Sequence, residues 1–104
     1  MSDAQQPKPR NLSHANLAGS DLAEADLHDT NLRHATLRNA NLDRSDLTNA
    51  DLTGANLRNA SLQDATAAHA NLAGADLRGA KLDGANLRGA KLDGARTDDP
   101  PEAP

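Results

Sequence analysis

The stretch that decides the fold is Ala50-Asp51-Leu52-Thr53-Gly54-Ala55-Asn56-Leu57-Arg58-Asn59. It is one five-residue unit written twice: a small residue, Asp or Asn, Leu, then two polar residues. Outward from it, Leu recurs at every fifth position. It stands at Leu12, Leu17, Leu22, Leu27, Leu32, Leu37, Leu42, Leu47, Leu52, Leu57 and Leu62, then at Leu72, Leu77, Leu82, Leu87 and Leu92. Ala67 and Thr97 fill the two places where Leu is missing, so the register holds from Arg10 to Asp99, eighteen pentads without insertion or deletion. Two residues before each Leu from Leu17 onward the side chain is small: Ala, Ser or Thr.

A period of five excludes both regular elements as the carrier of the pattern. Five residues advance an α-helix by about 500°, which scatters successive Leu around the axis. In a straight strand side chains alternate, so an odd period throws successive Leu onto opposite faces. One solution buries every Leu: the chain turns a corner once per pentad and coils into a solenoid. The small residue then also faces inward near the corner, and the other three positions face solvent.

Composition supports this. The 104 residues include no Cys, Trp, Tyr or Phe and a single Met. Val and Ile are also absent, so Leu and Ala alone must fill the interior. A sandwich, barrel or doubly wound sheet needs β-branched and aromatic bulk that this chain lacks. Without Cys there is no thiolate metal site and no cysteine nucleophile. The opening residues Met1 to Arg10 have no apolar core of a secretory signal, and no run reaches the length of a membrane span. A cytoplasmic location is expected. Fifteen acids against eleven bases give a net charge of −4, which disfavours direct nucleic-acid binding.

The units Ala50–Gly54 and Ala55–Asn59 resemble the pentapeptide-repeat family, whose pattern is A-(D/N)-L-x-x, and the resemblance runs from Arg10 to Asp99. It implies an all-β fold, a right-handed quadrilateral parallel β-helix with four pentads per coil. This chain would then make about four and a half coils, a rod about 22 Å long at the usual strand spacing. Leucine-rich repeats, heptads, calcium-binding nonapeptides and hexapeptide helices have other periods. Met1–Pro9 and Pro100–Pro104 fall outside the repeat and are expected to be disordered tails. No helical cap is evident, so the coil ends are expected to expose edges and permit self-association.

With twenty residues per coil, positions twenty apart stack. Arg38, Arg58 and Arg78 form an outward column, with Asp76 or Asp43 as counter-charge. Asp21, Glu24, Asp26 and Asp29 make the first coil acidic, and Asp46 stacks over Asp26. These eight residues are the candidate binding positions. The last coils carry Arg78, Lys81, Arg88, Lys91 and Arg96, so charge is polarised along the axis. His14 stacks with His34, but Gly54, Gly74 and Gly94 continue that column and no metal site is expected. His28 and His69 read as isolated. The glycines from Gly74 to Gly94 ease the corners. Ala67 interrupts the Leu27/Leu47/Leu87 column and is expected to leave a cavity or a local collapse.

A solid rod with a Leu interior offers no concave site with converging groups, so neither a catalytic residue nor a cofactor is expected. The expected function is a non-catalytic protein-binding or scaffold module. The family resemblance adds an alternative, a DNA-mimic modulator of DNA gyrase or a related type II topoisomerase. DNA of this length carries about 13 charges, far above the net −4 of this chain.

Overall fold

A computed structural model describes residues 10–98. The chain winds so that parallel bridges link residues twenty apart, from Asn11–Asn31 to Asp76–Arg96. A coil therefore contains four pentads and has four faces. The first face carries Leu12, Leu32, Leu52, Leu72 and Leu92; the second Leu17, Leu37, Leu57 and Leu77. The third carries Leu22, Leu42, Leu62 and Leu82; the fourth Leu27, Leu47, Ala67 and Leu87. Each side pairs through a single bridging residue, because a five-residue side ends in a corner before a longer strand can form.

One pentad, Asn31 to Ala35, shows why the arrangement is stable. Every backbone N–H needs a partner. Asn31 N donates back to Arg10 O of the preceding coil at 2.8 Å. Leu32 N and His34 N donate forward to Asp51 O and Thr53 O at 2.7 and 2.9 Å. Ala35 N closes the corner on Leu32 O at 3.0 Å. The fifth, Arg33 N, donates to the Asn31 side chain Oδ1 at 3.0 Å. The side chain supplies the acceptor that neither neighbouring coil offers, as an Asx turn does. The same bond recurs at Asn11, Asp21, Asp46, Asp51, Asn56, Asn71 and Asn86. This is the physical reason for Asp or Asn before Leu.

The corner is a four-residue turn with positive φ at its third residue, the type II pattern. The left-handed conformation is not confined to glycine. Ten other residues adopt it, including His14, Asn39 and Asp64, with φ between 58° and 64°. Asn, Asp and His tolerate this region better than other side chains. Glu24 (φ 64°) and Arg44 (φ 60°) are the two corner residues without that tolerance.

The core is a continuous stack. Leu27 through Leu62, Leu72 and Leu77 are 0–6% exposed, and each such burial stabilises by about 1.5–3 kcal/mol. Ala35, Ala40, Ala50, Ala55 and Ala60 line the inner corners, where Thr30 and Ser45 replace alanine and are equally buried. The core assignment of all sixteen leucines weakens at the ends. Leu12, Leu17, Leu22, Leu82 and Leu87 are half-buried, and Leu92 is 43% exposed, since among the described residues no coil covers the terminal layers.

Ala67 leaves the backbone ladder intact: its N–H donates to Asn86 O at 2.7 Å. Ala67 lines a cavity of about 70 Å³ together with Leu47, Leu62, Leu72 and Leu87 among others, and the cavity runs on to the last layer at Leu92 and Thr97. The expected tails lie outside the described residues, as does Asp99. Among the described residues no helix is long and apolar enough to cross a membrane.

Candidate functional site

Each pentad points three side chains outward: the bridging residue, the one after Leu, and the corner residue. Bridging and corner side chains meet their counterparts twenty residues away. The side chain after Leu reaches the bridging position of the next coil, eighteen residues on. These two offsets, with contacts two residues apart inside a pentad, generate the surface chemistry.

The acidic group is assembled on the first two coils as the stacking requires. Asp26 bridges directly to Asp46. Its neighbour His28 hydrogen-bonds the Asp26 carboxylate through Nδ1, and Arg10 lies 3.9 Å from the same carboxylate. The His28 hydrogen bond lowers the Asp26 pKa from its ordinary value, and the Asp26 carboxylate raises that of the imidazole in turn. Asp29, at the adjacent corner, stands 3.9 Å from His28 Nε2. His28 is thus not isolated, as its spacing had implied; it sits between two carboxylates because the pentad is short enough to bring positions 26, 28 and 29 together. Asp26, His28 and Asp46 offer three exposed ligand atoms within 4.8 Å of one another, the one such cluster among the described residues. A guanidinium already serves that carboxylate, so the cluster is built as an ion-pair network.

Asp21 is exposed, and its Oδ1 accepts Ala23 N at 3.2 Å. Glu24 pairs with Arg44 Nε at 3.2 Å across the corner column. Three of the acidic candidates, Asp21, Asp26 and Asp46, therefore hold turns, and Glu24 is neutralised by a partner one coil away. The geometry splits the charge candidates into structural and free groups, which sequence reading did not separate.

The arginine column is present. Arg78 grips Asp76 with both ends of its guanidinium, Nε to Oδ1 at 2.9 Å and Nη2 to Oδ2 at 2.7 Å. This bidentate bond holds the Asp76 carboxyl down to about 2, and Arg58 adds a further attraction from the coil below. Asp43, the other expected counter-charge, is engaged elsewhere. It accepts Ser61 Oγ and Gln63 N (2.9 Å), replacing the side-chain acceptor that Ser61 does not supply, and the Ser61 hydrogen bond lowers its pKa. A further pair, Arg33 with Asp51 at 3.3 Å, escaped sequence reading. Burial works to raise the Asp51 pKa, but the Thr53 and Arg33 hydrogen bonds outweigh it and the value is lowered. The signal for the contacts between coils was an acid and a donor eighteen or twenty apart, and for Arg78 with Asp76 an acid two residues before an arginine.

His14 and His34 stack as expected, with ring centroids 5.2 Å apart and planes 20° from parallel. Gly54 follows in that column, and the His34 ring lies over it, 2.5 Å from where a Cβ would stand.

Known proteins share this architecture. The family profile of pentapeptide repeats matches at residues 11–49, 25–64 and 60–96. The solved pentapeptide-repeat protein Rfr23 from the cyanobacterium Cyanothece 51142 is 42% identical with a TM-score of 0.83. The match covers 85% of this chain and 60% of Rfr23, so the chain spans less than two thirds of that protein. The pentapeptide-repeat protein alr5209 from Nostoc Pcc 7120 is 32% identical with a TM-score of 0.75, over 86% of this chain and 85% of its own. QnrB1, a plasmid-mediated fluoroquinolone resistance protein, aligns at 21% identity over 82% of this chain and 59% of its own. The TM-score of that match is 0.40. No curated protein matches. Matched by profile from residue 11 to residue 96 and by fold to Rfr23 and alr5209, the chain belongs to the pentapeptide-repeat family.

Proposed function

We propose that this chain, a right-handed quadrilateral β-helix of about four and a half coils over residues 10–99, is a non-catalytic binding or scaffold module in the cytoplasm, and that its flat faces contact another protein. One observation carries the reading. The described cavity is lined by Leu, Ala and Thr97, whereas the polar groups stand on flat outer faces and pair along them. Catalysis needs polar groups converging on a sheltered volume. Flat, regular faces suit a protein surface instead.

A photo-crosslinking residue placed at Thr53, Arg58, Gln63 or Thr48 samples the four faces in turn. In host lysate, one face or two adjacent faces should yield a single crosslinked protein, competed away by excess unlabelled chain. Equal, non-saturable crosslinking from all four faces would overturn the reading, as would turnover of any substrate by the purified chain.

The Asp26–Asp46 stack supports a second reading, a DNA-mimic modulator of DNA gyrase or a related topoisomerase. The pairs Glu24–Arg44, Asp51–Arg33 and Asp76–Arg78 weigh against it, because they place cations among the acids. Titration into a supercoiling assay, with and without a quinolone, separates the two readings. Inhibition or protection abolished by neutralising Asp21, Asp26 and Asp46 would put mimicry first.

A further inference from the structure

We propose that the two ends of the rod are complementary and that copies of this chain stack head to tail, each rotated half a turn from the last. The backbone pattern gives the ends opposite hydrogen-bonding character. Within the rod, the Leu and corner N–H groups donate forward to the next coil. In the last coil the N–H groups of Leu82, Gly84, Leu87, Gly89, Leu92 and Gly94 have no backbone partner among the described residues. In the first coil the same holds for the carbonyls of Asn11, Ser13, Asn16, Ala18, Asp21 and Ala23, which are the acceptor positions of the ladder. One rim is rich in donors and the other in acceptors, at the same spacing. Such edges template pairing with another chain.

The pentad count sets the rotation. Eighteen pentads at four per coil end half a coil out of phase, so a copy that continues the spiral starts two faces further round. In that register Leu82 meets Leu12 of the next copy, Leu87 meets its Leu17, and Leu92 meets its Leu22. The half-buried layers at both ends cover one another, including the most exposed leucine of the rod.

Charge selects the same register. Bridging positions stack at steps of twenty, so Lys91 comes to lie over Asp21 of the next copy and Arg96 over its Asp26. Asp98 comes to lie over its His28. The first two contacts join opposite charges, and the third does so when the imidazole is protonated; Asp98 holds Gly79 N through Oδ2 at 2.7 Å, which leaves Oδ1 for that contact. Each rim also carries a minority of the opposite group, the bridging N–H of Asn11, Asn16 and Asp21 at one end and the carbonyls of Ala80, Ala85 and Ala90 at the other, so the head-to-tail register matches every group whereas head-to-head or tail-to-tail pairing would set the majority groups against their like. A head-to-tail contact does not close on itself, so it yields open filaments and not dimers.

The end of the rod is smaller than a standard protein interface, so the association is weak and concentration-dependent. The full-length chain is followed by sedimentation velocity and X-ray scattering as it is concentrated from about 10 μM to about 1 mM, a range set by the small interface. The average mass should at least double, and the maximum dimension should grow by about 22 Å per added copy. Raising salt to about 1 M should reverse much of the growth, since the rim charges are solvent-exposed and screened.

Two variants fix the geometry. One carries Lys91→Asp and Arg96→Asp; the other carries Asp21→Lys and Asp26→Lys. Lys already occupies the bridging position at Lys81 and Lys91, so the fold tolerates these changes, and circular dichroism verifies it. Each variant alone should stay monomeric, while an equal mixture should associate. A chain that remains monomeric at the highest concentration overturns the proposal. So does assembly that stops at a dimer, or growth that persists in either variant alone.

Discussion

Filling the Ala67 cavity is the sharpest test of the core. The substitution is Ala67→Leu, which restores the fourth Leu column between Leu47 and Leu87. The cavity of about 70 Å³ runs on to the end of the rod, so filling it at Ala67 recovers at most about 1.7 kcal/mol at about 24 cal/mol per Å³. Burying three further carbons adds about 2.4 kcal/mol at about 0.8 per carbon. Ordering the new side chain takes back about 0.5–1 kcal/mol. Imperfect fit takes back about another 1 kcal/mol. The net expectation is a gain of about 2 kcal/mol, equivalent to about 8–16 °C in Tm for a domain of this size. The assay is chemical denaturation followed by far-ultraviolet circular dichroism, since the chain has no Trp or Tyr for fluorescence. A higher midpoint at unchanged slope is the expected result. An unchanged or lowered midpoint refutes the reasoning, for it means that the fourth column has already closed around Ala67.

Other expectations follow from single residues. Ser45 Oγ is buried without a hydrogen-bond partner among the described residues, so Ser45→Ala should stabilise by about 1 kcal/mol, read from the same denaturation curves; destabilisation would reveal a hidden partner. Leu52 is fully buried at mid-rod, so Leu52→Lys should abolish the β signal cooperatively, and a folded variant would mean the inward assignment is wrong. His28 has a raised pKa through Asp26, so its contribution is full below about 6.5 and is lost as pH rises through its folded value. A nuclear magnetic resonance titration should place its midpoint above 6.5 and return it toward 6.5 in Asp26→Asn. Asp76, held down to about 2 by Arg78, stabilises above its ordinary 3.8 and ceases to as pH falls toward 2, so acid denaturation should begin at higher pH in Arg78→Ala.

The period of five determined a great deal without coordinates. An odd period that neither helix nor strand can bury forces a corner per pentad, and this constraint repeats identically along the chain. Inward Leu, small corner residues and the uninterrupted register through Ala67 all follow from that local rule. The same rule does not say how many pentads close a coil, and twenty residues per turn came from family resemblance until the bridges established it. Everything that depends on coil length was decided in three dimensions. Arg33 finds Asp51 and Asp43 finds Ser61 across eighteen residues, and Glu24 finds Arg44 across twenty. The role of the residue before Leu was also hidden. Asp21 and Asp46 read as surface acids because charge is visible in a sequence, whereas the backbone N–H that each one satisfies becomes visible only when its five neighbours are assigned partners. Periodicity is a property of one strand of text; pairing is a property of the distance between coils.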